Sequence, residues 1–367
     1  MEKAKISKYQ FFVLMMLFEL GSSLLVPLAI QAHQDAWFPI LLGTGGGILL
    51  FLVFYKLYRY YPDLLLTSYI PKIIGSIPGN ILSYIYILYF AYLAARVLRD
   101  FGEMLLTFAY PETPIFIANA LLMLSIIYTV RKGIEVVART GELLLALMYF
   151  LAIIGFILIV FSGLIDVNNL KPVMENGFSK VFEVFLKETL YIPFGEAIAF
   201  TMILPYINEP KHAKWAGIIG IGLSGFNLAI VMAVNVAVLG ANLTERSMFP
   251  LLSTIQMIQV AEFLERLDIF FMIALIIGGF FKIGIYLYAA VIGTSSLFKI
   301  KTPSSMAFPV GLAALILSIS IASSFPEHLE EGLKIVPIYL HLPLQVFIPV
   351  LLLIIAFFKN RKKTKAS

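Results

Sequence analysis

The sequence predicts an all-α polytopic membrane protein of about ten transmembrane helices, built as two inverted five-helix halves with the first and sixth helices broken. Three observations carry that expectation. Of 367 residues, 60% are hydrophobic and only 13% charged, where an ordinary soluble domain carries about a quarter charged residues. Apolar runs near the ~20 residues that cross ~30 Å of hydrocarbon recur along the chain, without the period-two alternation of membrane β-strands. Two of those runs are interrupted at mid-depth by residues that lipid tolerates badly, GSS at 21–23 and PFGE at 193–196.

The spans are expected at 8–31, 36–58, 78–106, 113–130, 138–163, 183–207, 213–240, 265–297, 306–324 and 336–358. The basic N-terminus MEKAKISKYQ leads into the first run with no small-residue cleavage site behind it, so that run reads as a retained span. The third and eighth spans exceed what the bilayer requires and are expected to tilt or project. LPYINEPKHAK at 204–214 is a tight polar turn, and 164–182 and 241–264 are longer outer loops with room for short surface helices. No soluble domain fits between spans, so 1–367 is expected to be a single integral membrane domain, with halves at 8–163 and 183–324 and the tenth helix at 336–358.

Orientation follows from the basic residues. With a cytoplasmic N-terminus, the inner segments hold Lys3, Lys5, Lys8, Lys56, Arg59, Lys72, Arg131, Lys132, Arg139, Lys211, Lys214, Lys299, Lys301 and the tail KNRKKTKAS. The outer segments hold the shorter set Arg96, Arg99, Lys171, Lys180, Lys187, Arg246, Arg266 and Lys334. The excess places both termini in the cytoplasm. The net charge of +5 therefore belongs to topology and does not point to nucleic acid.

The two halves repeat in kind. Gly21 and Gly195 are 174 residues apart, as are Gly43 and Gly217. Each half thus opens with a broken helix followed by a glycine-rich one, GTGGG at 43–47 and GIIGIGLSG at 217–225. Five is odd, so the halves run in opposite directions through the membrane. GTGGG has no following Lys-Ser/Thr and lies in a span, which makes it a helix-packing surface and not a phosphate loop.

A broken helix exposes N–H groups at the start of its second half and C=O groups at the end of its first. Such groups persist at membrane depth only where they line an enclosed or wet cavity. The N–H ends suit a carboxylate and the C=O ends an ammonium, so two facing breaks make a site for a small zwitterion, of which an amino acid is the simplest. Gly21, Gly195 with Glu196, Lys282, and Tyr89 with Tyr92 all fall near mid-membrane in their spans. Inserting a Glu or Lys there costs on the order of 3 kcal/mol, so Glu196 and Lys282 are either functional or a structural ion pair. Glu19, half a turn before the first break, faces either the cavity or a partner helix. The absence of cysteine excludes disulfides, iron–sulfur clusters and thiol chemistry. His33, His212, His328 and His341 show no metal-ligand spacing and accompany no nucleophile motif, which argues against an enzyme.

ISKYQ before a first span with a GSS break, PFGEAIAF in the sixth and FFKIGIYLYAA in the eighth resemble the spore germination permeases, the B subunits of endospore germinant receptors. The resemblance runs over roughly 5–360. It implies the leucine-transporter-type fold of the amino acid–polyamine–organocation transporters, and a site for a nutrient germinant, usually an amino acid, between helices one and six. That role would fall on Gly21, Ser22, Ser23, Pro193, Phe194, Gly195 and Glu196, with Tyr89 and Tyr92 at the same depth and Phe194 as a pocket wall. The implied partners are a membrane-embedded A subunit and a C subunit lipoprotein in the inner membrane of the spore. Sodium-coupled members of the wider fold hold a cation between helices one and eight on hydroxyls of the eighth. Here the middle of the eighth span holds no Ser or Thr, and the first beyond Lys282 is Thr294, about 18 Å on. Lys282 is therefore expected to stand in the ion's place, with a proton-coupling role open for it and for Glu196 or Glu19. No cofactor or metal is expected. A proton-driven amino acid permease and a scaffold with a decayed site are the rival readings.

Overall fold

Ser7 starts the first span. Its hydroxyl accepts from the Gln10 N–H at 3.1 Å, and the Gln10 side chain accepts from the Ser7 N–H at 3.0 Å, a closed capping box. Ser7→Ala is expected to cost about 1 kcal/mol, read as a lower melting temperature in detergent. The computed structural model describes residues 5–258 and 267–366. Among these there is no β-strand, only an isolated parallel bridge between Ile6 and Ile207. Lys3, Arg266 and the expected start of the eighth span at 265 lie outside the described residues.

Seven uninterrupted helices are long and apolar enough to cross a membrane: Trp37–Tyr60, Ser76–Phe108, Ile134–Phe161, Pro210–Leu239, Asp268–Leu297, Pro303–Ser320 and Pro337–Arg361. Ile115–Arg131 is apolar but shorter. The first and sixth spans complete the expected ten, and both are broken. Helix Lys8–Leu20 stops at Gly21, a single turn follows at Ser22–Leu24, and regular structure resumes only at Ile30–Asp35. The sixth span runs through the α-helix Gly177–Val184 and a π-turn at Phe185–Thr189, loosens, and continues as a 3₁₀ helix over Phe194–Met202.

Some boundaries differ from expectation for local reasons. Between the second and third spans a short helix, Leu66–Ile74, buries Leu66, Tyr69, Ile70 and Ile73. Nine residues containing Pro71 and Lys72 read as a loop in sequence, yet their apolar positions fall on one helical face. Lys359 caps it, its Nζ donating to the Lys72 carbonyl at 2.7 Å. The tenth span begins as a π-helix over Pro337–Phe347 with Pro343 inside it, where a plain helix was expected.

The packing shows the repeat directly. Span one packs on spans five and seven, and span six packs on spans ten and two. Span three lies along span eight, span two along span seven, span four against span eight, and span nine against span three. Moving each partner five spans along the chain reproduces the set, as two inverted halves require. Glycines make the close approaches possible. A side chain on Gly47 would run into Phe194 and one on Gly43 into Thr189, so the GTGGG helix is the surface on which broken span six rests. Gly217, Gly220 and Gly225 of span seven do the same against Phe51, Met15 and Thr44.

Candidate functional site

The two breaks meet at the eighth span. A Cβ on Gly21 would lie 2.7 Å from Lys282 Cδ and 2.9 Å from the Phe18 carbonyl oxygen, and one on Gly278 would lie 3.1 Å from Gly21 Cα. Two helix backbones therefore touch at Gly21 and Gly278, one turn from Lys282. The Lys282 ammonium sits 2.6 Å from Glu196 Oε2 of span six. That contact is an ion pair held by charge, since its angle makes no directed hydrogen bond. Both side chains are buried, Lys282 completely. The ammonium also lies 5.3 Å from the Phe18 ring centroid, a cation–π distance. The ring is held edge-on between Phe200, at 5.2 Å, and Tyr286, at 5.0 Å.

Glu19 is the third ionisable side chain of the cluster. It is wholly buried and interacts with the charges of both Lys282 and Glu196. Neither of its carboxylate oxygens has a hydrogen-bond partner among the described residues, and neither does Ser23 Oγ in the break. One basic side chain thus faces two carboxyl groups. Buried groups of this kind are nearly always hydrogen-bonded, so a bare carboxylate and a bare hydroxyl at one break are chemically unfinished.

A cavity of about 60 Å³ opens from here toward the face opposite the termini, with Ser22, Ile192 and Glu196 at one end and Arg96, Asp100 and His328 at the other. Its outer end is closed by a polar lock between the third span and helix Phe325–Glu330. His328 Nε2 lies 2.9 Å from Asp100 Oδ1, Arg96 donates to the His328 carbonyl oxygen, and Arg96 also lies 3.8 Å from Glu331 Oε2. On the termini side of the bundle, away from this cavity, main chain joins the two broken spans. Ile6 N–H donates to the Tyr206 carbonyl and Asn208 N–H to the Ile6 carbonyl, both at 2.9 Å, tying the start of span one to the end of span six. Lys8 reinforces this with an exposed contact to Glu209 at 3.3 Å, whose hydrogen bond holds that carboxyl below its ordinary range. The broken spans are thus tied by main chain on the termini side, and a polar cluster spans the opposite side of the cavity. With no native cysteine, Ser22→Cys gives a clean access probe. Adding Asp100→Asn is expected to raise its maleimide labelling rate at least tenfold, read by mass spectrometry.

The structure brings together Gly21, Ser22, Ser23, Glu19, Glu196 and Lys282. Tyr89 stands beside them through the tenth span, its hydroxyl 2.6 Å from His341 Nδ1 and accepting from Gln345 Nε2 at 2.8 Å. Gly195 is where Gln345 approaches, since a Cβ there would meet its Oε1. Pro193 shapes the turn, its carbonyl accepting from the Glu196 N–H at 3.0 Å. Phe194 is not brought to the cavity lining. Its side chain is buried against Gly47, whose missing Cβ leaves the slot it fills. Tyr92 belongs to the outer lock, accepting from Arg96 Nη1 at 3.3 Å.

Sequence reasoning missed His341 and Gln345, and placed Arg96, Arg99 and His328 in solvent-facing segments although all three are buried. The signal for the first pair was present. Two polar side chains at i and i+4 inside an apolar span share a face and demand a protein partner.

A membrane bundle with this five-plus-five packing and breaks in spans one and six facing span eight is a leucine-transporter-type fold. Solved structures agree. MhsT in complex with L-phenylalanine superposes with TM-score 0.69 at 14% identity, covering 97% of this chain and 99% of that one. A Na⁺-coupled sialic acid symporter does so with TM-score 0.64 at 14% identity, covering 93% and 77%. Within that fold, the chain belongs to the spore germination protein family, whose model matches residues 5–326. It is 54% identical over 366 residues to spore germination protein KB of Bacillus subtilis (strain 168), covering 100% of this chain and 98% of that relative. Spore germination protein YndE of the same organism is 26% identical over 332 residues, covering 89% and 88%.

Proposed function

We propose that the space between the two breaks binds a small nutrient germinant, an amino acid or similar zwitterion, and that the protein is the sensing subunit of a spore germinant receptor. The observation that carries this reading is the bare, buried Glu19 carboxylate beside the Glu196–Lys282 pair. A ligand ammonium supplies the hydrogen-bond donors that the Glu19 carboxyl group lacks, and its carboxylate turns toward Ser23 Oγ and the backbone of the break. Lys282 holds Glu196 and the first-span break in place where sodium-coupled relatives of the fold keep an ion. The residues present do not suit sodium, because Lys282 fills the junction of spans one and eight and the next Ser or Thr on span eight is Thr294. Replacing sodium with potassium is expected to leave ligand affinity unchanged.

On this reading the protein acts by binding, without covalent chemistry on its ligand. Its setting is the inner membrane of the spore, with both termini cytoplasmic and with an A subunit and a C subunit lipoprotein as partners. Membership of the germination family supports the setting, and the excess of Lys and Arg on the termini face supports the orientation. The test is thermal stabilisation of the purified protein by a panel of amino acids at millimolar concentration. A ligand at a hundred times its Kd raises stability by about 2.7 kcal/mol. A selective rise is expected, and it should vanish in Glu19→Gln, which keeps the shape and removes the carboxyl group. A rise that survives intact in Glu19→Gln contradicts this site.

One observation favours a second reading, a proton-coupled permease. The bundle carries a tie near each membrane face, the kind of contact a carrier opening to one face at a time would make and break. Net flux of labelled ligand into liposomes containing the protein supports the carrier. Binding without flux supports the sensor.

A further inference from the structure

Behind the first-span break lies an apolar groove of about 280 Å³. Its floor includes Leu20 and Leu24, which flank the Gly21–Ser23 break, and its walls include Met148 and Phe156 of span five, Val231 of span seven and Phe271 of span eight. Asn227 and Tyr149, the polar residues lining it, are spent on each other, Asn227 Nδ2 donating to the Tyr149 hydroxyl. The mouth opens between spans five and seven, where Ile153 is 56% and Ile230 37% exposed on the lipid-facing surface. From Met148 to Ile159 along span five the groove extends about 16 Å, from mid-membrane toward the face opposite the termini.

We propose that this groove binds one linear aliphatic chain, the acyl chain of a membrane lipid, which braces the first-span break from behind. Three observations select that occupant. The groove is continuous with the hydrocarbon-facing surface, so lipid reaches it without crossing water. Its lining carries no charged side chain, and its two polar residues hydrogen-bond to each other. Its shape is long and narrow, with room for roughly nine methylene-sized groups at about 30 Å³ each. An empty groove would forfeit the dispersion contacts of every residue on its walls. The site is separate from the charged cluster and needs no germinant.

The test is native mass spectrometry of the full-length protein, delipidated in detergent and re-exposed to dioleoyl phosphatidylglycerol. Under activation that strips annular lipid, the wild type is expected to retain one lipid molecule. Ala152→Trp places a large ring in the groove from an exposed position and is expected to lower that occupancy at least fivefold. Leu143→Trp, at a lipid-facing residue of the same helix outside the groove, should leave it unchanged. The melting temperature should rise with added lipid in the wild type and in Leu143→Trp but not in Ala152→Trp. Val231→Phe, a smaller filler, repeats the measurement if the tryptophan variant does not fold. Equal retention in all variants, or equal loss in both tryptophan variants, means annular lipid only and overturns the proposal.

Discussion

Lys282→Met is expected to destabilise the protein by about 3–5 kcal/mol, more than any other single substitution considered for this site. The magnitude is that of breaking a buried ion pair from one side, which leaves the other charge enclosed without compensation. Here the cost sits at the top of that range, because Lys282 is the cation facing both Glu196 and the unpartnered Glu19. Methionine nearly matches the lysine stem in volume, so packing against Gly21 and Phe18 is kept and the loss reports charge. Pairing the change with Glu196→Gln should restore a large part of the stability, since an uncharged pair no longer pays for desolvation. Melting temperatures of the two single variants and the double variant in one detergent measure this. A double variant as unstable as the sum of the singles would show that the ion pair is not the unit that matters.

Gly21→Val is expected to abolish ligand binding while the protein still inserts. The valine Cβ would have to occupy a point 2.7 Å from Lys282 Cδ and 2.9 Å from the Phe18 carbonyl. Lys282 Cβ, 2.9 Å away, is fixed to the span-eight backbone, and the Phe18 carbonyl is backbone of span one, so the break must both distort and move away from span eight. Overpacking of this kind costs about 1–3 kcal/mol, which a large membrane bundle survives. The Glu196–Lys282 geometry and the Ser22–Leu24 turn would not keep their registration. Gly45→Val is the matched control, because a Cβ at that glycine meets nothing within 4 Å. Affinity is read by thermal shift with whichever amino acid stabilises the wild type most. Unchanged affinity in Gly21→Val would place the ligand elsewhere.

How much of this was legible in sequence depended on the physics behind each feature. The ten spans, the breaks at Gly21 and Gly195 and the importance of Lys282 were readable because hydrocarbon penalises polar backbone and charge so heavily that each exception stands out. That Glu196 and Lys282 meet was left open, since spacing along a chain says nothing about which spans pack together. That Phe194 packs against Gly47 was not legible, because its direction is fixed by a residue 147 positions earlier in the chain. The outer lock was hidden for a different reason. Arg96, Asp100 and His328 carry ordinary loop chemistry near a membrane surface, and only the docking of helix Phe325–Glu330 onto the third span buries them. Helix Leu66–Ile74 was obscured by its own Pro71, which interior helix positions seldom hold.

The central claim is that a ligand occupies the junction of the two breaks, and Ser22→Cys tests it most directly. Ser22 lines the cavity between Glu196 and the outer lock, and no native cysteine competes for the reagent. Maleimide labelling of Ser22→Cys should slow as the stabilising amino acid is added, with half-protection at the concentration that gives half the thermal shift. Labelling that continues at its unliganded rate while the thermal shift saturates would contradict the account, because the ligand would then be stabilising the protein from another site.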